Sequence, residues 1–213
     1  CPTCYAGSSP TYGRHRTLDE VRAMLDAVVA SEGEPDIVQI SGGEPTIHPQ
    51  FFDILDYAKT LPIRHIMINT NGIRIADDKG FAERLNDYMP GIEIYLQFDS
   101  FKPDVLTKLR GKDLSAKRQK ALEKLEKFNI HSTLVVTLER GQNDDEIGKI
   151  IDFALEYRCL RGVTFQPTQV AGRTDNFDPL KNKFTLTETR QGILDQTDIF
   201  KENDIVPVPC NPD

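Results

Sequence analysis

An α/β fold built on a parallel sheet is predicted by three observations. Short runs rich in β-branched residues alternate with amphipathic helical stretches. The units recur at about 30 residues, the length of a strand–crossover–strand unit. The apolar runs also end in polar or glycine-rich clusters rather than in hairpin turns. Parallel neighbours need a crossover, and each unit supplies one.

The first helix is expected over Thr17–Ala30, where Thr17 and Glu20 form a capping box. Asp36–Ile40 is the first strand of the repeat, ending in Ser41-Gly42-Gly43, and Phe51–Lys59 follows as a helix with Phe51, Phe52, Ile54, Leu55 and Ala58 at helical spacing. His48, before Pro49, begins that helix. His65–Ile68 is the next strand, ending at Asn69-Thr70-Asn71-Gly72, and a helix is expected from about Asp77 to Met89, where Pro90-Gly91 breaks it. Ile92–Phe98 makes the third strand. Leu114–Phe128 makes a helix with Ala121, Leu122, Leu125 and Phe128 on one face and its lysines on the solvated side.

His131–Leu138 is the fourth strand. Asn143, with Glu146 three residues on, is expected to cap a helix that buries Ile147, Ile150, Ile151, Ala154 and Leu155. Gly162–Phe165 reads as a fifth, shorter strand, and Thr185 with Glu188 opens the last helix through a second capping box. The pattern contains no solenoid repeat and no low-complexity linker. It leaves two architectures open, a doubly wound open sheet or a barrel, and both place functional residues at the carboxyl ends of the strands.

The chain has 213 residues and a formal net charge of −7, enough length for one substantial core. A pI near 5.2 argues against wrapping nucleic acid, which needs a basic surface. No apolar run approaches a membrane span and no signal-peptide pattern is present. Four cysteines occur. Cys1 and Cys4 are too close to staple a fold, so a reduced, cytoplasmic compartment is expected.

Cys1-Pro-Thr-Cys4 alone fits half of a zinc site, a redox pair or part of an iron–sulfur loop. Cys159 and Cys210 stand singly, which weighs against a four-thiolate zinc site, and the loop that follows Cys4 weighs against a thioredoxin-like motif. With Gly42-Gly43-Glu44-Pro45 ending the next strand, the sequence resembles the radical S-adenosylmethionine (SAM) superfamily, whose signature is Cys-x3-Cys-x2-Cys followed by Gly-Gly-Glu-Pro. Cys1 and Cys4 match the last two cysteines of that signature. Its first cysteine would stand four residues before Cys1. Thr3 occupies the position where the family usually has an aromatic residue beside adenine, with Tyr5 just after Cys4.

The resemblance implies a partial parallel (β/α)6 TIM-like barrel whose N-terminal strand is missing from this fragment. It places a radical SAM core over residues 1–180, with the last helix and the start of a C-terminal extension over 181–213. It also implies a [4Fe–4S] cluster held by Cys1 and Cys4, since thiolates suit such clusters, with SAM on the open iron. Gly42, Gly43 and Glu44 would meet the methionine end of SAM, and Asn69, Gln97, Thr137 and Gln166 would complete the site. Asp99 and Glu139 share strand-end positions with these, as does Phe165.

Each of these residues also has a plainer reading: Gly42-Gly43 as a turn, Glu44 as a solvent-facing turn residue, Asn71-Gly72 as an Asn-Gly turn. Arg140 and Arg173 could pair with carboxylates, and the histidines show no metal-ligand spacing. The implied activity is reductive cleavage of SAM to a 5′-deoxyadenosyl radical that takes hydrogen from a small-molecule or lipid substrate. Reduction would come from a donor such as ferredoxin or flavodoxin.

The motifs Cys-Pro-Thr-Cys-Tyr-Ala, Gln97-Phe98-Asp99 and Gln166 to Arg173 are similar to a branch containing tetraether-lipid synthase and methanopterin-related methylases. In that branch Cys210 would begin a further cysteine-rich segment and could ligate an auxiliary cluster. Two other readings stand beside this one: a non-catalytic iron–sulfur or zinc-binding redox module, and a nucleotide-binding α/β protein. The second lacks the glycine pattern of a dinucleotide site.

Overall fold

The computed structural model describes residues 2–4, 7–8, 13–174 and 177–206. Cys1, Tyr5 and Cys210 lie outside the described residues. The chain opens with a two-residue strand, β1 (Thr3–Cys4), which pairs antiparallel with a later two-residue strand, β7 (Arg173–Thr174). Helix α1 (Leu18–Glu32) starts at the expected capping box: Thr17 Oγ1 accepts from the Glu20 amide at 3.2 Å, and the Thr17 amide donates to Glu20 Oε2 at 2.7 Å.

Five parallel strands follow: β2 (Ile37–Ile40), β3 (His65–Thr70), β4 (Ile92–Gln97), β5 (Ser132–Leu138) and β6 (Leu160–Pro167). They lie in the order β2-β3-β4-β5-β6. Spatial order equal to chain order decides between the two architectures left open by the sequence. Right-handed crossovers that always step the same way put every helix on one face, whereas a doubly wound sheet must reverse. The result is a singly wound, partial barrel-like α/β fold.

Side-chain parity shows the same two faces. Ile66, Ile68, Ile92, Ile94, Leu96, Leu134 and Val136 join Phe51, Leu55, Ile75, Phe81, Leu122, Leu125 and Ile150 from the helices in one core. The alternate residues His65, Met67, Asn69, Glu93, Tyr95 and Gln97 are only half-buried and form a polar face away from the helices.

The crossovers differ from expectation in several places. A 3₁₀ turn (Pro45–Ile47) precedes α2 (Phe51–Ala58), and His48 closes that turn with its Nδ1 accepting from the Gln50 amide. The single helix expected over 77–89 is two short ones, α3 (Ile73–Asp77) and α4 (Phe81–Asn86). The Asn71-Gly72 turn starts the first early, and Lys79-Gly80 interrupts. Gly72 sits at φ 76°, and a Cβ there would lie 2.6 Å from Leu96 Cδ1, so both conformation and contact require glycine.

Helix α5 (Pro103–Arg110), unforeseen, starts at a proline and ends at Gly111 with φ 84°. In α6 (Ser115–Phe128), Lys124 is not merely solvated: it donates to the carbonyls of Ile75 and Asp78, tying α6 to α3.

A 3₁₀ turn (Asp144–Glu146) leads into α7 (Ile147–Leu155), and no capping box forms there. Asn143 instead accepts from the Glu139 amide and donates to the carbonyls of Asp99 and Thr137, while Glu146 turns inward to Ser100 and Phe101. Leu155, expected in the buried stripe, is 68% exposed, one residue past the face set by Ile147, Ile150, Ile151 and Ala154. Strand β6 is longer than its apolar run suggested. Helix α8 (Pro179–Asn182) is a single turn, and α9 (Leu186–Gln196) begins at the predicted Thr185–Glu188 capping box and packs on α7 and β6. No helix among the described residues is long and apolar enough to cross a membrane.

Candidate functional site

The carboxyl ends of β2 to β6 gather nearly all of the residues singled out by the sequence. After β2, Gly42 adopts φ 137° with open space around its Cα, and a Cβ on Gly43 would lie 4.0 Å from Ser8 Cβ. Ser8 of the cysteine loop therefore lies against Gly43. That loop is also fixed at the far end of the sheet, where Cys4 is opposite Arg173 in the β1–β7 pair and Arg173 donates to the Ser8 carbonyl at 2.7 Å. A Cβ on Gly111 would lie 3.6 Å from Pro2 Cδ, so the end of α5 completes the enclosure.

Glu44 is neither a solvent-facing turn residue nor a free carboxylate. Its Oε1 accepts from the Thr46 amide at 3.1 Å, Thr46 Oγ1 at 2.6 Å and Thr70 Oγ1 at 2.7 Å, and its Oε2 accepts from the Asn71 amide at 2.8 Å. Thr46 and Thr70 are both buried. Four donors hold the carboxylate as a strap between the ends of β2 and β3. Asn71 Oδ1 in turn accepts from the Ile73 amide, the local bond of an Asn-Gly turn.

Asp99, two residues past Gln97, is the electrostatic centre of the rim. It is fully buried with a left-handed backbone (φ 67°). Arg110 clasps it with two bonds, Nε to Oδ2 at 2.8 Å and Nη2 to Oδ1 at 2.6 Å, while Arg118 Nη2 reaches Oδ2 at 2.8 Å and the Thr137 amide reaches Oδ1 at 3.1 Å. Burial pushes the Asp99 carboxyl up, but the two guanidiniums and the Thr137 amide outweigh it and hold it at about 2. Burial lowers Arg118 against the pull of Asp99, and its Nε and Nη1 have no partner among the described residues. For Arg110, burial works downward and is overcome by Asp99, with Cys4 adding in the same direction. Cys4 is thus within electrostatic reach of a guanidinium, and one carboxylate against two guanidiniums leaves a net positive charge beside it.

The remaining predicted residues stand on the polar face. Gln97 Oε1 is buried with no hydrogen-bond partner among the described residues, as is Thr168 Oγ1 just beyond β6. Asn69 is half-buried and makes no side-chain hydrogen bond among the described residues. Thr137 Oγ1 accepts from Arg110 Nη2 at 2.9 Å, and Gln166 Nε2 donates to Tyr95 Oη at 3.3 Å. Phe165 packs at the edge of the core. Glu139 is buried and ion-paired with Lys108, and Arg140 pairs with Glu188. Buried acceptors normally have partners. Orphaned oxygens at the strand ends, a thiol beside positive charge and exposed glycine backbone suit a ligand carrying an ammonium and hydroxyl donors, together with an anionic thiolate-bound metal group. Among the described residues no three His, Cys, Asp or Glu side chains form a metal site.

Two helical features were legible only in retrospect. Arg118 falls on the buried stripe of α6, three and four residues before Ala121 and Leu122, so periodicity marks it despite its charge. Arg110 precedes a helix-ending glycine, but nothing in its spacing indicates Asp99 as its partner.

Residues 1–154 match the sequence family described as the Radical SAM superfamily. The chain belongs to that superfamily. It is 30% identical to the 7,8-dihydro-6-hydroxymethylpterin dimethyltransferase of Methanocaldococcus jannaschii, over 98% of this chain and 42% of that protein. It is 23% identical to the mycofactocin maturase MftC of Mycolicibacterium smegmatis, over 77% of this chain and 40% of the relative, and 27% identical to the GTP 3′,8-cyclase of Actinobacillus succinogenes, over 72% and 46%. The chain thus spans less than half the length of these relatives. The pterin dimethyltransferase agrees with the likeness to methanopterin-related methylases.

Among solved structures, anSMEcpe with bound AdoMet and a Kp18Cys peptide superposes with a TM-score of 0.61 at 18% identity, over 90% of this chain and 54% of that one. A domain of a pyruvate-formate lyase-activating enzyme from Bacteroides vulgatus gives 0.57 at 17% identity, over 76% and 92%. A radical SAM domain implies SAM and an iron–sulfur cluster, and the residues at this rim fit both.

Proposed function

We propose that this protein is a radical SAM enzyme that cleaves SAM reductively at a [4Fe–4S] cluster held in part by Cys1 and Cys4, and that its substrate is a pterin-type heterocycle. The observation that carries the reading is a convergence at the carboxyl end of the parallel sheet: Ser8 of the cysteine loop on Gly43, Cys4 within electrostatic reach of Arg110, and a Gln97 oxygen with no partner among the described residues. What a bound cluster and SAM supply is one-electron cleavage of a carbon–sulfur bond to a 5′-deoxyadenosyl radical, the agent of hydrogen abstraction.

The chain's own residues bind and orient. Backbone carbonyls at Gly42 and Gly43 accept from the ammonium of SAM, and Asn69 and Gln97 accept from or donate to its polar groups. Thr137 and Gln166 close the site towards β6. Glu44 fixes the loop whose backbone meets the methionine end of SAM. Arg110 sets a positive charge beside Cys4. The pterin reading follows the M. jannaschii relative, and the electron would come from a donor such as ferredoxin or flavodoxin.

Iron and labile-sulfide analysis of the full-length protein, reconstituted without oxygen, tests the metal assignment. About four irons per cluster are expected, and Cys4→Ala should lose them while remaining folded. Zinc in place of iron, or an unaltered cluster in Cys4→Ala, would overturn it.

A further inference from the structure

Below the SAM rim, the polar face of the sheet carries a second group of titratable residues that the proposed cofactor site does not use. Glu93 is at its centre. It projects from β4 on the same face as Tyr95 and Gln97, beside Met67 on β3 and next to His131, the residue just before β5, by continuation of the register that pairs Ile94 with Ser132. His65 Nε2 lies 2.9 Å from Glu93 Oε2, and Thr133 Oγ1 donates to Glu93 Oε1. His131, opposite, bonds through Nε2 with Arg161 Nη2 at 2.9 Å. The Glu93 side chain keeps 16% of its surface exposed and that of His65 27%, although the alternate residues of both strands are fully buried.

A carboxylate offers about four acceptor positions. Among the described residues each oxygen of Glu93 has one protein donor, leaving one acceptor position free on each. That arrangement suits two parallel N–H donors on a planar edge, the bidentate geometry that makes charge-assisted pairs strong. From Glu93 to Gln97 is four residues along one strand, about 13 Å at a rise of about 3.3 Å per residue. A bicyclic heterocycle gripped at one end by Glu93 therefore points its other end towards the strand ends where SAM is proposed to bind.

We infer that Glu93, oriented by His65 and Thr133, is the specificity-determining residue for the substrate, accepting from the adjacent ring N–H and exocyclic amino group of a 2-amino-4-oxopyrimidine edge. The inference rests on the pterin reading above and assigns its recognition to a named side chain.

Equilibrium dialysis of 6-hydroxymethyl-7,8-dihydropterin against the full-length, anaerobically reconstituted protein tests it. Glu93→Gln, which presents a donor where an acceptor is needed, should weaken binding by about tenfold or more, with the thermal midpoint and substrate-free SAM cleavage unchanged. The matching lumazine, with oxygen in place of the amino group, should bind the wild type correspondingly more weakly. This second comparison decides the matter even if the variant fails to fold. Equal pterin affinity in a folded Glu93→Gln, or equal affinity of the wild type for pterin and lumazine, would overturn the assignment, as would no pterin binding at all. SAM cleavage measured in parallel separates the two proposals, because its loss with pterin binding retained would remove the radical reading and leave Glu93 standing.

Discussion

Asp99 is the residue on which the rim depends. It is buried, its two bonds to Arg110 and one to Arg118 are its compensation, and removing its charge would leave two guanidiniums facing each other. Asp99→Asn should destabilise the fold by about 3–5 kcal/mol, read as a lowered urea midpoint at constant slope, and an unchanged midpoint would contradict the account. The pH dependence has a definite sign. The folded carboxyl is held at about 2, below its ordinary value, so its stabilisation is complete above about pH 4 and is lost as pH falls towards 2. The stake is on the order of 2 kcal/mol, and in acid titration the stability gap between wild type and Asp99→Asn should narrow by about that amount in that window.

Glu44→Gln should cost about 2 kcal/mol, because an amide cannot accept from all four donors and would turn its own N–H₂ towards one of them. Stability in urea equal to wild type would return Glu44 to the role of an ordinary turn residue.

At the scale of elements, the strands and the two capping boxes were legible because period-2 runs and Thr-x-x-Glu are local signals. What local signals miss is competition from afar. Asn143 and Glu146 have the spacing of a cap, yet Asn143 answers orphan carbonyls at Asp99 and Thr137 and Glu146 answers Ser100. Helix α5 was hidden because its charged residues blur the apolar period, while Val105, Leu106 and Leu109 still reach the core. The packing of α9 on α7 was also invisible, and it makes a sharp prediction. A Cβ on Gly148 would lie 2.1 Å from the Gln196 carbonyl oxygen, and the Gly148 amide donates to Gln196 Oε1. Gly148→Ala should therefore displace the end of α9 and cost about 1–3 kcal/mol, with faster amide exchange over 190–197. Unaltered exchange there would mean that the two helices do not meet as described.

For the whole molecule, strand–helix alternation predicted a parallel sheet but not its winding. Winding is a property of strand order, which no local pattern encodes. Chain-order strands place all helices on one face and free the other for polar residues, and the strand ends converge without any one of them being diagnostic alone. Cysteine spacing with Gly-Gly-Glu-Pro made the family readable. The buried Asp99 cluster and the Glu93 group were not, since their partners come from different strands and helices. The central claim is that this convergence serves radical chemistry at Cys4. The most direct measurement is 5′-deoxyadenosine formation from SAM by the full-length protein, anaerobic and reduced with dithionite, beside Cys4→Ala. The account predicts formation by the wild type and none by the variant; no formation by a cluster-loaded wild type, or equal formation by both, would contradict it.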